Sequence, residues 1–235
     1  YFLLGVHYRS GLNFDVEVPC PSCGHLLSPE QQQAGDACPS CAAPLELARL
    51  RAQIRFPGLE EADERVAYVY DTLARCQRAL AAASNADDSV PNDVSPTIAG
   101  MLPAFVAALR DDLNTAAAIA ALSESLREVN RQLEFKKKPD IAARRPTLDR
   151  FLADMQVVSQ YLGLFTEDPS AYLRQRRDRK AARLRLDVAE VERLLRMRED
   201  ARAKKDWKEA DRLRAELGLL GVTPQDTAEG STWTL

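Results

Sequence analysis

The stretch DARAKKDWKEADRLRAELGLLGVTPQDTAEGSTW, residues 200–233, decides how the C-terminal end of the chain folds. Leu213, Leu217 and Leu220 recur in it at helical spacing, and basic and acidic residues alternate before them. That pattern predicts a helix with one apolar face, which glycines then end. The GVTPQDT and GSTW segments that follow are typical of two short strands. The sequence therefore predicts a small module of one helix and one hairpin.

Trp207 lies on the polar side of the predicted helix, between Asp206 and Lys208. An indole ring among charged side chains is costly to leave in water, so we expect it to have a partner. Two interpretations are open. In the first, the ring covers a small local core and the charges are solvated. In the second, the ring stacks on unpaired bases while neighbouring guanidinium and carboxylate groups bind the base edges.

The same stretch resembles the anticodon-binding end of bacterial cysteinyl-tRNA synthetases. In that family an AR-x-x-KDW-x-x-AD-x-x-R helix precedes a G-[IV]-x-x-x-D-x-x-x-G-[ST]-T-W tail, and both patterns are in register here. The resemblance implies that Arg202, Trp207, Asp211 and Asp226 meet the anticodon bases. The chain departs from the family at Gln225, where an acidic residue usually precedes the aspartate.

A second resemblance lies at the other end of the chain. YFLLGVHYRSGLNF, residues 1–14, has apolar residues on one helical face and is similar to the RYFLLSAHYRSPLNF segment that follows the KMSKS loop in the same family. The resemblance implies that His7, Tyr8 and Arg9 lie near the inside corner of the tRNA. For His7, an imidazole packed at a helix end is the alternative.

Four cysteines form the strongest chemical motif of the sequence. CPSCG at 20–24 and CPSC at 38–41 place two CxxC pairs fourteen residues apart. Such spacing lets four thiolates face one point, which suits tetrahedral Zn²⁺. Iron in a rubredoxin-like site and redox or vestigial cysteines are the weaker alternatives. We therefore predict a structural zinc site made of Cys20, Cys23, Cys38 and Cys41. Because a shell of four cysteines has no open position, its role is to fold the ribbon.

The ribbon is an insert relative to the usual family pattern, and it is distinct from the family's catalytic zinc, which belongs to an N-terminal domain outside these residues. Beyond it, helical spacing of apolar residues predicts helices over 45–56, 59–83, 111–135 and 148–163, and a further helix that carries Leu102, Phe105, Val106 and Leu109. Within them DDLNT, residues 111–115, matches the family's DD-[FL]-NT signature. These polar residues are typical of a helix N-terminus. Acid–base or Mg²⁺ chemistry is the alternative, but no His, Lys or phosphate loop accompanies them.

Composition limits the remaining possibilities. A net charge of −3 argues against a general nucleic-acid binder, but seven of the twelve residues at 174–185 are Arg or Lys. This cluster either contacts RNA phosphates or forms a solvated linker. No apolar run approaches 18 residues, so we expect no membrane span. Five cysteines, four of them in CxxC pairs, do not form a secreted disulfide framework, and a reducing cytoplasm fits them.

We therefore predict a mainly α protein, in which an antiparallel helical bundle carries a zinc ribbon insert and a small C-terminal α/β module. The expected regions are the end of a stem-contact region at 1–18, the ribbon at 19–45, the bundle at 46–166, a basic linker at 167–183 and the anticodon-binding module at 184–235.

The resemblance implies that the full-length protein attaches cysteine to tRNA(Cys) with ATP. No HIGH or KMSKS element occurs in these residues, so we expect no catalytic residue and no activity from this portion alone. We expect a monomer that binds tRNA(Cys) and not DNA. Two alternatives stay open: a stand-alone zinc-ribbon RNA-binding or regulatory paralogue, and a structural or protein-binding helical domain.

Overall fold

Helices dominate the fold, as the spacing of the apolar residues predicts. The computed structural model describes residues 1–6, 9, 15–34, 37–46, 49–50, 53–82, 93–134, 143–227 and 230–235 of the 235-residue chain. It divides into an N-terminal unit, Tyr1–Thr166, and a C-terminal unit, Glu167–Leu235. The predicted fold class is confirmed: mainly α, with a cysteine cluster near the N-terminus and a two-stranded antiparallel sheet at the C-terminus.

The core of the N-terminal unit lies between long amphipathic helices. These helices are α2 Pro57–Ala82, α3 Pro96–Arg110, α4 Thr115–Leu133 and α5 Arg145–Leu162, and a short helix of the ribbon, α1 Pro29–Ala34, precedes them. Helix α3 packs against α4 and α5, and α2 packs against the same two helices. Phe105 and Phe151 are fully buried between them. Burying each such side chain stabilises the fold by about 1.5–3 kcal/mol.

The turn between α3 and α4 contains the DDLNT signature. Asn114 caps α4, because its side chain accepts a hydrogen bond of 3.0 Å from the backbone N–H of Ala117. The predicted capping role is therefore confirmed for Asn114. Asp112 instead has a left-handed backbone, with φ of 52°, and so does Leu113, with φ of 53°. These two residues reverse the chain before the helix begins, and the Asp112 carboxylate is directed to a different partner, described below.

The first residues differ from the prediction. In the described part of the segment where we expected a helix, Phe2–Gly5 form a 3₁₀ turn, which ends where Val6 becomes extended. Phe2 packs against Gly58, where an added Cβ would lie 2.7 Å from the ring. His7 and Tyr8, which we expect near the tRNA corner, lie outside the described residues.

The C-terminal unit contains three helices and the sheet: α6 Pro169–Arg183, α7 Val188–Ala203, α8 Trp207–Leu219, β1 Thr223–Thr227 and β2 Gly230–Thr234. The strands are antiparallel, with Pro224 opposite Trp233 and Asp226 opposite Ser231. The buried side chains that hold the unit together come from all three helices and the sheet: Ala181, Val191, Leu194, Leu195, Leu213, Leu217, Val222 and Trp233. Both strands are confirmed in the segments where the sequence predicts them.

The helix expected to run through residues 200–220 is two helices. Helix α7 ends at Ala203, and Lys205 has a left-handed backbone with φ of 60°. Asp206 then caps α8 by accepting a hydrogen bond of 3.1 Å from the N–H of Glu209. Helix α8 ends at Leu219, and Leu220, which we expected on the apolar face, is exposed. Because of this break, Arg202 lies on α7, whereas Trp207 and Asp211 lie on α8.

The basic segment that we expected to be a linker forms helix α6. Its Ala181 is fully buried in the core of the C-terminal unit, and the guanidinium carbon of Arg177 lies 4.5 Å from the centroid of the Trp233 ring. The segment therefore belongs to the folded module. None of the described helices has both the length and the apolar character that a bilayer crossing needs.

Candidate functional site

The turn between α7 and α8 presents an aromatic ring to solvent. Asp206 fixes the start of α8, so Trp207 occupies its first position, where 58% of its surface is exposed. Trp233, only 3% exposed, closes the core of this unit. The core is thus complete without Trp207, and the ring has an open surface that a flat ligand can cover.

Asp211 lies one turn after Trp207 on α8, so the two side chains share a helix face. Its carboxylate is exposed. The guanidinium of the adjacent Arg212 binds Glu209 at 2.6 Å and Glu216 at 2.9 Å along the helix. Glu209 lies three residues before Arg212 and Glu216 lies four residues after it, so the helix brings both carboxylates within reach of the guanidinium. Asp211 and Trp207 therefore form a polar and an aromatic contact point on one surface.

Asp226 stands at the centre of an ion-pair network that joins the sheet to α7. Its Oδ1 accepts hydrogen bonds from Arg198 at 2.7 Å and from the Ser231 hydroxyl at 3.0 Å. Its Oδ2 accepts one from Arg198 at 3.0 Å, and Nη1 of Arg202 lies 3.1 Å from the same oxygen. The hydrogen bonds from Arg198 hold the pKa of Asp226 at about 2, below the ordinary value for an aspartate.

This network limits what Asp226 can do. A carboxylate offers about four acceptor positions, and four donor groups already surround this one. A base that donates a hydrogen bond to Asp226 must therefore displace a donor. Arg198 is only 5% exposed and anchored on both oxygens, whereas the Arg202 side chain is 44% exposed. Arg202 can therefore leave the carboxylate at lower cost than Arg198.

Arg198 is the residue of this site that sequence reasoning missed. It lies four residues before Arg202, so both guanidinium groups project from the same face of α7 towards β1. Its partner is 28 residues away in the sequence. The spacing of the two arginines was the available signal, but nothing local in the sequence indicates which carboxylate they bind.

Arg9 forms an ion pair with the DDLNT turn in the N-terminal unit. Its two terminal nitrogens each lie 3.1 Å from a different oxygen of Asp112. The guanidinium and the carboxylate are both partly exposed, so solvent screens the pair. The structure thus brings together the two family-like motifs of this unit, the YFLL segment and the DDLNT turn.

The four cysteines of the ribbon converge on one point. All four sulfur atoms lie within 4.8 Å of one another. The distance from Cys20 to Cys41 is 3.8 Å, and that from Cys23 to Cys38 is 3.7 Å. Four thiolates about 2.3 Å from one tetrahedral zinc ion lie about 3.8 Å apart. The donor set and its dimensions therefore fit a bound metal ion.

Two equivalent turns position the sulfurs. In the first, Gly24 donates to the Cys20 carbonyl at 2.9 Å, and in the second, Ala42 donates to the Cys38 carbonyl at 2.8 Å. Both residues are left-handed, with φ of 75° and 57°. In the first turn the Ser22 N–H lies 3.5 Å from the Cys20 sulfur, and this hydrogen bond lowers the pKa of that thiol to about 7.

A small apolar cluster supports these turns. It contains Val18, Leu27, Leu45 and Leu50 together with the buried Cys20 and Cys38. The helix expected over 45–56 does not reach its predicted end, because Arg55 exchanges backbone hydrogen bonds with Glu17 in an antiparallel bridge. With so few apolar side chains, the ribbon has little stability without a further cross-link.

Comparisons with known proteins identify two domains and a set of relatives. Residues 104–166 match the DALR domain, and residues 186–233 match the cysteinyl-tRNA ligase anticodon binding domain. The chain is 34% identical over 235 residues to a cysteine–tRNA ligase of Desulfovibrio desulfuricans, covering all of this chain and 40% of that protein. It is 37% identical over 180 residues to the corresponding ligase of Oleidesulfovibrio alaskensis, covering 77% of this chain and 37% of that protein.

A third relative is the chloroplastic/mitochondrial cysteine–tRNA ligase of Arabidopsis thaliana, 33% identical over 177 residues, or 74% of this chain and 31% of that protein. The chain thus spans 40% or less of the length of these three relatives. The alignment with the Desulfovibrio protein extends over the cysteine ribbon, since it covers the whole chain.

Proposed function

We propose that this chain, which carries the DALR domain and the anticodon-binding domain of the cysteine–tRNA ligase family, is the tRNA-recognising C-terminal portion of such an enzyme. The proposed partner is tRNA(Cys). The observation that carries the proposal is the exposed Trp207 ring beside Asp211, at the end of the chain that matches the anticodon-binding domain.

In this proposal Trp207 stacks on an unpaired anticodon base, because a flat indole binds the face of any base. Asp211 accepts hydrogen bonds from a base edge, and Arg202 donates them. Arg9 contacts the inner corner of the tRNA. Each of these groups is at least partly exposed, so each can be reached by RNA.

Asp226 takes part in a second step. Its carboxylate is occupied by Arg198, Arg202 and Ser231, so a base that binds it must displace a donor, and we propose that this donor is the exposed Arg202. The base would then supply the donor that Asp226 loses, while Arg202 turns to a base or a phosphate. Arg198 stays in place and keeps the carboxylate oriented. Recognition by Asp226 and by Arg202 is therefore coupled.

Four cysteines, Cys20, Cys23, Cys38 and Cys41, are proposed to hold Zn²⁺ as a structural ion. The sulfur distances support this assignment. A shell filled by four protein ligands has no position for substrate, so the ion cross-links the ribbon and supplies no chemistry to a reaction.

The full-length protein is proposed to activate cysteine with ATP and to transfer it to tRNA(Cys), in keeping with the relatives. The present 235 residues are proposed to be inactive alone, to be monomeric, to bind tRNA and not DNA, and to act in the cytoplasm, where free thiols persist. Aminoacylation and pyrophosphate exchange with the isolated chain test the inactivity. Turnover above the enzyme-free rate would contradict it.

The test of RNA recognition is the affinity of the chain for an anticodon stem-loop of tRNA(Cys), measured by fluorescence anisotropy. Trp207→Ala should weaken binding by about 1–3 kcal/mol, and Trp207→Phe should retain most of the affinity because it keeps a ring. Leu219→Ala is the matched control, since Leu219 is also exposed on α8. Equal affinity of Trp207→Ala and the wild type would refute the stacking role.

A stem-loop with its anticodon bases replaced supplies the second arm. If the chain reads the anticodon, it should bind the replaced stem-loop more weakly than the native one. Binding that ignores both the anticodon and the salt concentration would instead favour the protein-binding alternative.

A further inference from the structure

Helix α6 has two faces with opposite roles. The inward face carries Ala181, which is fully buried, and Arg177, whose guanidinium lies over the Trp233 ring. Arg177 also donates to Asp178 at 2.8 and 3.0 Å. Asp178 is the sole acidic residue between positions 174 and 185. The inward face thus uses one arginine for packing, and that arginine also neutralises the one local carboxylate.

The outward face carries Arg179 and Arg183, four residues apart on the same side of the helix and about 160° away from Ala181. Both side chains are exposed. Among the residues that the structure describes, neither has an ion-pair partner. Arginines elsewhere in this unit are different: Arg193 on α7 pairs with Glu190 at 2.7 Å, and Arg212 on α8 pairs with Glu209 at 2.6 Å.

Two unpaired like charges one turn apart destabilise the helix that bears them. A polyanion would remove this repulsion, and guanidinium groups bind phosphate oxygens with two parallel hydrogen bonds. The chain as a whole has a net charge of −3, so the concentration of cations on this helix is local. We call Arg179 and Arg183 the α6 basic face.

We propose that the α6 basic face binds the sugar–phosphate backbone of the RNA whose bases the α7–α8 turn reads, an inference that rests on the proposed function. Phosphate contacts carry no sequence information, so this surface adds affinity and sets orientation, while the turn supplies selectivity. The α6 segment is therefore part of the RNA-binding surface of the C-terminal unit.

The experiment measures the affinity of the 235-residue chain for the anticodon stem-loop at several salt concentrations. Each phosphate contact contributes about 0.7 to 0.9 to the slope of log affinity against log salt. The double variant R179Q/R183Q should therefore reduce the slope by about 1.4 to 1.8. It should weaken native and anticodon-replaced stem-loops by the same factor, so that the preference between them does not change.

The control variant R193Q/R212Q removes two charges whose partners lie within their own helices. Relative to the wild type, R193Q/R212Q should reduce the salt slope by less than half of the reduction expected for R179Q/R183Q. Equal slopes for the two double variants, or a wild-type slope in R179Q/R183Q, would overturn the inference. Circular dichroism confirms that each variant remains folded.

The two proposals fail in different ways. If wild type prefers the native stem-loop but R179Q/R183Q keeps its slope, only the α6 basic face is refuted. If wild type binds both stem-loops equally and R179Q/R183Q lowers the slope, anticodon reading is refuted while the backbone contact stands. Absence of salt-dependent RNA binding by the wild type refutes both.

Discussion

Arg198 and Asp226 form a two-point ion pair, with nitrogen–oxygen distances of 2.7 and 3.0 Å, that ties α7 to the first strand of the C-terminal sheet. The arginine is buried and the aspartate is 43% exposed. The pair links residues 28 positions apart and places the carboxylate beside Arg202. The Arg198 pair therefore holds in place the Asp226 carboxylate, which we propose to take part in reading RNA.

Arg198→Lys should lower the free energy of unfolding of the C-terminal unit, because an ammonium group cannot bind both oxygens in parallel. We expect a loss of about 1–2 kcal/mol, less than for a fully buried pair, since Asp226 is partly exposed. Both tryptophans, Trp207 and Trp233, lie in this unit, so urea unfolding followed by tryptophan fluorescence reports on it. The control is Arg193→Lys, which alters an exposed ion pair on the same helix. It should change the free energy of unfolding by less than about 0.5 kcal/mol. Equal losses in the two variants would show that the Arg198 pair has no special weight.

The same carboxylate predicts an acid-sensitive contribution to stability. Arg198 depresses the pKa of Asp226 from 3.8 to about 2, so the unfolded chain takes up the proton at higher pH than the folded chain. The stabilisation is complete above about pH 4 and is lost as pH falls towards 2. Because solvent screens a side chain that is 43% exposed, we expect about 1 kcal/mol. The difference in unfolding free energy between the wild type and Asp226→Asn should shrink over this range. A difference that stays constant between pH 5 and pH 2 would contradict this prediction.

In the C-terminal unit, sequence patterns predicted the helices and strands better than the points where one ends and the next begins. The leucines of α8 and the strand segments were found because their periodicity is local. The break at residues 204–206 was missed, although Asp206 followed three residues later by Glu209 is a helix-start signal. The continuous alternation of charges across the break obscured it. Pairing of Arg198 with Asp226 depends on how α7 packs against the sheet, and single-sequence reasoning has no access to that.

In the N-terminal unit, cysteine spacing predicted that four sulfurs converge, because the CxxC turn fixes its own geometry. The YFLL segment was predicted as a longer helix, since its apolar residues have helical spacing. Phe2 instead packs against Gly58, a contact with a distant helix that the sequence does not reveal. Local patterns thus identified the chemistry of the ribbon, whereas tertiary contacts determined the ends of the helices.

In the two cysteine turns, exchanging glycine for alanine and alanine for glycine should change Zn²⁺ affinity in opposite directions. Gly24 and Ala42 occupy equivalent left-handed positions, and a Cβ there costs about 1–2 kcal/mol, partly offset by the greater freedom of glycine in the unfolded chain. Gly24→Ala should therefore weaken Zn²⁺ binding, and Ala42→Gly should strengthen it by a smaller amount. Competition with a chromophoric chelator measures both affinities. A gain from Gly24→Ala would contradict the equivalence of the turns.

Removal of the metal should unfold the ribbon and leave the helices intact. Among its described residues the ribbon has a cluster of six buried side chains, two of them cysteines, whereas the described residues of α2 to α5 share a larger core. We expect one Zn²⁺ per chain by native mass spectrometry, lost in Cys23→Ser/Cys38→Ser. After chelation, hydrogen exchange should accelerate at residues 18–45 and stay slow in α3 and α4. If hydrogen exchange in the ribbon stays slow after chelation, its buried side chains are enough to keep it folded without metal, and the prediction is wrong.

The coupling proposed between Arg202 and Asp226 can be measured in a double-mutant cycle. In the free protein the two side chains lie 3.1 Å apart, and Arg198 and Ser231 occupy the other acceptor positions of the carboxylate. If RNA separates Arg202 from Asp226 and then uses both groups, each single variant, Arg202→Gln and Asp226→Asn, removes a contact with RNA and also changes the energy of breaking the pair. The effects on stem-loop affinity should then be non-additive by more than about 0.5 kcal/mol. Arg202→Gln paired with Asp211→Asn is the control cycle, since Asp211 makes no ion pair with Arg202 among the described residues. Additive effects in the first cycle would mean that Asp226 keeps its internal partners when RNA binds and supports the site without touching a base.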